Sequence, residues 1–195
     1  MVLKKIAVFC SVSTGSKAVY MQAAQGIGKA LAKRGITLVY GGGGDGMAGA
    51  LVSSALEAGG QVIGVMPRFL LEKGKAYHQL KDLRVAKDLH EHKAMMAELG
   101  DGFIALPGGF GTLEEFFEIL TWAQLGLHHK PCGLLNVNGY FDQLLTFIDH
   151  VQESQFITLP ARELLLTAEK PDKILELFME FSARNTDKAA NYSAE

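Results

Sequence analysis

Cysteine is scarce: Cys10 and Cys132 are the only two among 195 residues. They lie far apart, each in an apolar, strand-like stretch. That placement argues against a disulfide framework or a cysteine metal cluster, and fits buried free thiols in a reducing cytoplasm. An excess of charge is missing too. Nineteen Lys and Arg against 21 Asp and Glu leave a formal net charge of −2, with no global pull toward nucleic acid or an anionic membrane. Nor are there long apolar runs. The longest stretch free of Asp, Glu, Lys and Arg, Gly102 to Leu113, is far short of the roughly 18 residues a membrane helix needs. The apolar run after Lys4-Lys5 is too short for a signal peptide and reads as a first buried strand. No internal repeat, heptad run or low-complexity segment is present.

Several chemical signatures are also absent. Without a Gly-x-x-x-x-Gly-Lys-Ser/Thr run, phosphoryl transfer on a P-loop is disfavoured. There is no Gly-x-Ser-x-Gly elbow, and neither cysteine has a partner motif. No lysine sits in a Schiff-base context. His90 and His92, two apart on an expected helix, face different ways and cannot jointly grip a metal. His128-His129 reads as a solvated connection. The sequence therefore calls for no metal and no cofactor.

What is present is an ordered alternation. Hydrophobic residues make up 48% and charged residues 21% of the chain, ordinary values for a globular protein. Apolar strands are expected at Ile6–Cys10, Ile36–Tyr40, Gln61–Met66, Gly102–Leu106, Pro131–Val137 and Leu164–Thr167. Helices are expected near 17–34, 47–58, 88–99, 112–125, 140–153 and from Pro171 to about Phe181. Phe69 to Lys87 reads as a charge-rich surface loop with a short strand at 83–86. Strands apolar throughout and alternating with helices imply a parallel sheet covered on both faces. The right-handed crossover rule makes this an α/β, Rossmann-like doubly wound sandwich. A single nucleotide-binding domain is expected over 1–182, with a polar tail over 183–195 that frays.

Three turns after strands carry the chemistry. Ser11-Val-Ser-Thr-Gly-Ser16 suits both helix capping and donation to an anion. Gly41-x-Gly43-x-x-Gly46 matches the dinucleotide fingerprint in form. The next strand end, Val65-Met66-Pro67-Arg68, offers one cation and no carboxylate for a ribose, which disfavours NAD and leaves Arg68 to meet a phosphate. A close-packed turn accounts for those glycines equally. The third turn is Leu106-Pro-Gly-Gly-Phe-Gly-Thr-Leu-Glu-Glu115. Gly108, Gly109 and Gly111 remove every Cβ from its tightest part, so backbone amides and a helix N-terminus can meet an anion. Glu114 and Glu115 follow at once. Thr112-Leu-Glu-Glu115 also fits a capping box, a purely structural use of Glu115. On the helix that follows, Leu113, Phe116, Phe117, Leu120 and Gln124 are expected to face the core, with Glu115 and Glu118 on another face.

Pro107-Gly-Gly-Phe-Gly-Thr-Leu-Glu-Glu115 matches PGGxGTxxE, and in this the chain resembles the Lonely Guy (LOG) family, often mislabelled as lysine decarboxylases. The likeness runs from Ile6 to about Ile157. It includes Leu38-Val-Tyr-Gly-Gly-Gly43, Val65-Met-Pro-Arg68 and Leu120-Thr-Trp-Ala-Gln-Leu-Gly126. The resemblance implies a hydrolase that cleaves the N-glycosidic bond of a cytokinin riboside 5′-monophosphate, or of AMP, to free base and ribose 5-phosphate. It implies Glu115 as the catalytic carboxylate and Gly108, Gly109, Phe110, Gly111, Thr112, Leu113 and Glu114 as the loop on phosphate and ribose. Thr121 aligns with a substrate contact, and Lys93, Arg68, Gly42, Gly43 and Ser11 complete the expected binding set. A homodimer or higher homo-oligomer is implied as well. One position departs: the family's Met-His-x-Arg-Lys is here Leu89-His-Glu-His92-Lys93, so His92 stands where a catalytic arginine is expected. A non-catalytic nucleotide-binding or carrier protein on the same fold is the competing reading.

Overall fold

The computed structural model describes residues 2–192, with side chains through Arg184. Seven strands form one sheet in the order β4-β3-β2-β1-β5-β6-β7, and every pairing is parallel. They are β1 Lys5–Phe9, β2 Thr37–Tyr40, β3 Val62–Pro67, β4 Asp82–Ala86, β5 Gly102–Ala105, β6 Cys132–Leu135 and β7 Leu165–Ala168. From β1 the chain first builds outward through β2, β3 and β4, then returns to place β5 on the other side of β1. The order reverses between β1 and β5, where doubly wound folds hold their ligands.

Successive residues of one strand feed opposite cores, as a period of two requires. Ile6 and Val8 of β1, with Leu38 and Tyr40 of β2, face α1 Ala18–Lys33, α2 Gly46–Glu57 and α8 Pro171–Tyr192. Ala7 and Phe9, with Val39, Phe103 and Ala105, pack on α4 Leu89–Leu99, α5 Phe110–Gln124 and α6 Asp142–Glu153. Two short helices, α3 Arg68–Leu71 and α7 Leu159–Glu163, complete the chain.

Four expectations need correction. The stretch 69–87 carries more structure than a loop with the short strand expected at 83–86, which is present as β4. It opens on α3 and ends on the parallel strand β4, and between them residues 75–77 strap back over the Gly41–Gly46 turn. The Gly44 amide donates to Lys75 O at 3.1 Å and the Tyr77 amide to Gly42 O at 2.9 Å. The helix from Pro171 continues to Tyr192 rather than ending near Phe181; 193–195 lie outside the described residues. On α5, Gln124 is exposed, and Ile119 and Ala123 fill the core positions with Phe116. His128 is no solvated connector. Its Nε2–H donates to Ile119 O at 3.0 Å, its Nδ1 accepts from the Lys130 amide at 3.1 Å, and burial lowers its pKa.

Candidate active site

The carboxyl ends of β1, β2 and β5 release the three turns singled out in the sequence, and the turns meet. The Ser11–Ser16 turn does not cap α1, whose start at Lys17 has no side-chain cap. It docks instead on α2: Ser11 O accepts from the Ala48 amide at 3.1 Å, and Ser13 O from the Met47 amide at 3.3 Å. Gly46 makes this approach possible. It sits at φ +54°, and a Cβ there would lie 2.2 Å from Val12 O.

The Pro107–Gly111 loop starts α5 three residues earlier than a Thr112 cap requires. Gly109 is the N-cap and has no side chain to offer, while Thr112 is buried inside the first turn. The capping-box reading of Thr112 and Glu115 is therefore wrong. The first intrahelical bond runs from the Leu113 amide to Gly109 O at 3.1 Å. The amides of Phe110, Gly111 and Thr112 precede it and remain available to a ligand, at the positive end of the helix. Behind the loop, Tyr140 O–H donates to Gly108 O at 2.8 Å and its ring meets Tyr20 edge-on. Ser11, Ser13, Ser16, Gly108 and Gly109 line a cavity of about 330 Å³ against these two tyrosines. Hydroxyls, free amides and a helix N-terminus suit it to an oxyanion.

A second cavity, of about 280 Å³, lies beside the first; Val12 and Ala48 line it, next in the chain to Ser11, Ser13 and Met47 of the cradle. Cys10, Tyr40, Met66, Leu70 and Leu89 make most of its wall apolar, and Glu115 and His92 stand on it. His92 is only 4% exposed, and its Nε2 lies 3.2 Å from Glu115 Oε1. Against an ionised Glu115, Nε2 carries the hydrogen of this contact, and the buried Nδ1 has no partner among the described residues. Oε2 of Glu115 makes no hydrogen bond or ion pair to a described residue, so it is free for a ligand. Burial, reinforced by Glu115, pushes the Cys10 thiol up to about 12, so it stays a neutral, inert wall.

A cap with the capping-box interval that the sequence suggested on α5 occurs on α4, its return bond going to the residue before the cap. Asp88 Oδ1 accepts from the Glu91 amide at 2.8 Å, and Glu91 Oε2 from the Lys87 amide at 2.5 Å. This fixes the helix one turn before His92. The Glu91 amide holds the Asp88 carboxyl below the usual carboxylate range. The stability it adds is thus present above that range and lost as pH falls through the lower folded-state pKa. Asp88→Ala should lower Tm by a few degrees at pH 7, with the gap to the parent closing below about pH 4. Thermal melts of both proteins across pH 3–8 check this.

The remaining expected site residues divide. Gly43 lines the Glu115 cavity, while Gly42, at φ +77°, lies against Met66 and Leu83. Phe110 is 93% exposed at the head of α5, and Leu113 is half-buried. Lys93 is drawn away from both cavities: it bonds Glu114 and lies 3.0 Å from Glu118 Oε2, and the Glu114 bond raises its pKa. Arg68 is exposed at the start of α3, lines neither cavity and makes no ion pair to a described residue. Thr121 spends its hydroxyl on Phe117 O at 2.7 Å. It stands about 9 Å along α5 from Glu115, in an apolar groove with Phe147 and Ile157. Tyr40 and Tyr140 were not singled out by sequence, and only the Tyr in Leu38-Val-Tyr-Gly-Gly-Gly43 stood near a motif. Among the described residues no three His, Cys, Asp or Glu side chains cluster for a metal, and no helix is long and apolar enough to cross a membrane.

A doubly wound sheet with an anion cradle and a carboxylate–imidazole pair on adjacent helix starts defines a nucleotide-handling α/β protein. The family model described as "Possible lysine decarboxylase" matches residues 48–178. A probable cytokinin riboside 5′-monophosphate phosphoribohydrolase of Oryza sativa subsp. japonica is 46% identical over 91% of this chain and 84% of its own. The cytokinin riboside 5′-monophosphate phosphoribohydrolase of Rhodococcoides fascians is 51% identical over 82% of this chain and 81% of its own. The chain belongs to this family, the Lonely Guy phosphoribohydrolases. Among solved structures, the molybdenum cofactor carrier protein of Chlamydomonas reinhardtii superposes with TM-score 0.70 at 20% identity, covering 93% of this chain and 99% of its own. At that identity the likeness is one of fold.

Proposed function

We propose that this protein hydrolyses the N-glycosidic bond of a nucleoside 5′-monophosphate, a cytokinin riboside 5′-monophosphate or AMP, releasing free base and ribose 5-phosphate. The observation that carries the reading is the Glu115–His92 pair, 3.2 Å apart on the wall of a largely apolar cavity, one turn from an uncapped glycine loop. The 5′-phosphate occupies the Ser11–Gly109 cradle, and the base enters the apolar cavity. Between them the anomeric carbon comes to Glu115.

Breaking a ribosyl C1′–N bond builds oxocarbenium-like positive charge on the sugar. A carboxylate at that point stabilises the charge and accepts a proton from the attacking water. His92 holds Oε1, so Oε2 turns to the sugar. The phosphate, bound away from the reacting bond, supplies orientation. Ser11, Gly43 and Gly108–Thr112 are the substrate-binding residues best supported by position. Lys93, Glu114, Arg68 and Thr121 would need to move or to act from another subunit. The large exposed hydrophobics Leu125, Phe147 and Phe156 support a homodimer, and two free thiols, Cys10 partly buried and Cys132 buried, suit a reducing cytoplasm. A decarboxylase reading is weaker, because a Schiff-base lysine is activated by desolvation. Lys75, which lines the cavity, is exposed and 3.4 Å from Asp45.

Dependence on the phosphate tests the proposal. kcat/KM for AMP should exceed that for adenosine by at least about 10³, and equal values would contradict it. Gly111→Ala sharpens the test, because a Cβ there meets nothing within 4 Å. The fold should be unharmed and the helix stabilised by up to about 1 kcal/mol. The added methyl group would stand at the exposed head of α5, beside the amides offered to the phosphate, and raise KM about tenfold. Melting curves and initial rates on one preparation read both effects.

A further inference from the structure

Tyr40 ends β2 at the sheet edge shared with His92 and Glu115, and it lines their cavity. Its side chain is fully buried, yet its hydroxyl has no hydrogen-bond partner among the described residues. Leaving a buried hydroxyl unpaired is costly, and native structures seldom tolerate it without a use. The His92 Nδ1 atom, on the same wall, is likewise buried and unpaired. The wall around them, Val8, Cys10, Met66, Leu70 and Leu89, is apolar or inert. Such a space matches a flat heteroaromatic ring, whose faces are apolar and whose edge carries nitrogens. Burial first, then the nearby Cys10 and Tyr77, pushes the Tyr40 hydroxyl above its ordinary pKa, so at neutral pH it is a donor and not an anion.

We infer that Tyr40 reads the base, its O–H donating to a ring nitrogen of the departing purine. The inference rests on the hydrolase reading above and adds to it the group that receives the leaving base. When the C1′–N9 bond breaks, its electron pair passes to the base and spreads over the ring nitrogens. A donor at one of them stabilises that charge. Water supplies the hydroxyl to C1′, and its proton passes through Glu115 to the base. Tyr40 keeps its own proton throughout. The interaction strengthens as the bond breaks, so it acts on turnover as well as binding.

Tyr40→Phe removes one oxygen and keeps the shape. If the hydroxyl served only the fold, Tm would fall and catalysis would follow it down. A base-reading hydroxyl gives the opposite pattern: Tm unchanged or higher, with kcat/KM on AMP about 10- to 100-fold lower. The parent-to-variant ratio is then measured with 1-deaza-AMP, 3-deaza-AMP and 7-deaza-AMP. It should collapse to about one for the analogue lacking the contacted nitrogen and persist for the other two. An unchanged kcat/KM on AMP, or the same ratio with all four substrates, overturns the inference. Should the parent protein hydrolyse no nucleotide, the hydrolase reading fails, and calorimetric titration with adenine replaces the rates. Weaker adenine binding by Tyr40→Phe, by about tenfold, then supports base reading, and equal affinity refutes it.

Discussion

Glu115→Gln is expected to lower kcat on AMP or a cytokinin riboside 5′-monophosphate about 10³-fold, with KM within about threefold of the parent. Glutamine has the size of glutamate and retains an oxygen that can accept from His92 Nε2–H, now 3.2 Å away. What it loses is the charge that faces the ribosyl cation and the basicity that takes a proton from water. The carboxylate is partly exposed, 25% by side chain, so its neutral replacement should leave Tm nearly unchanged. Phosphate and base still bind through other residues, which is why the loss should appear in kcat rather than KM. Initial rates of base release, with a melt as control, make the comparison. Turnover within about tenfold of the parent would remove Glu115 from the mechanism.

The second large effect is at His92. His92→Ala should reduce kcat about 100-fold, because Oε1 loses the donor that fixes the carboxylate. It also opens a space in a buried site, with a stability loss of about 2 kcal/mol. His92→Gln separates the two effects. Its amide restores an N–H donor of similar reach without a ring that can be charged, so it should recover about tenfold of the lost rate. If His92→Ala turns over as fast as the parent, the histidine is packing alone. If alanine and glutamine are equally impaired while both stay folded, the imidazole contributes more than orientation. Lys93 is poorly placed to substitute for it, being bound to Glu114 and Glu118.

The interior strands and most helices were legible because their signals are local. Val62–Pro67 and Gly102–Ala105 are continuous apolar runs, and Gly35 and Gly126, at φ +65° and +74°, end helices where expected. Strand β4 was only half legible, since Asp82-Leu-Arg-Val-Ala86 lies at a sheet edge and alternates with charge. The strap before it depends on backbone bonds to Gly42 and Gly44, some thirty residues earlier in the chain. Pro131 fits a strand start: β6 is interior, and the proline precedes its ladder where no amide is needed.

At the site, the motif showed where an anion and a carboxylate would sit, because glycines and a helix start follow one another in sequence. Spacing misled on the cap. Thr112 and Glu115 have a capping-box interval, but the glycines let α5 begin at Phe110. His92 was legible only through the resemblance. Its contact with Glu115, made from a helix 23 residues earlier, was not, nor was the arrival of Tyr40 and Tyr140 from separate strand ends. Burial decides their roles, since the unpaired Tyr40 hydroxyl and His92 Nδ1 exist only in the folded chain.

The most direct test is product analysis of the purified protein with AMP and with isopentenyladenosine 5′-monophosphate, following free base and ribose 5-phosphate together. Equimolar release of the two from at least one of these nucleotides, abolished in Glu115→Gln, is the predicted result. Tight nucleotide binding with no base released from any nucleoside monophosphate would contradict it and make the protein a carrier.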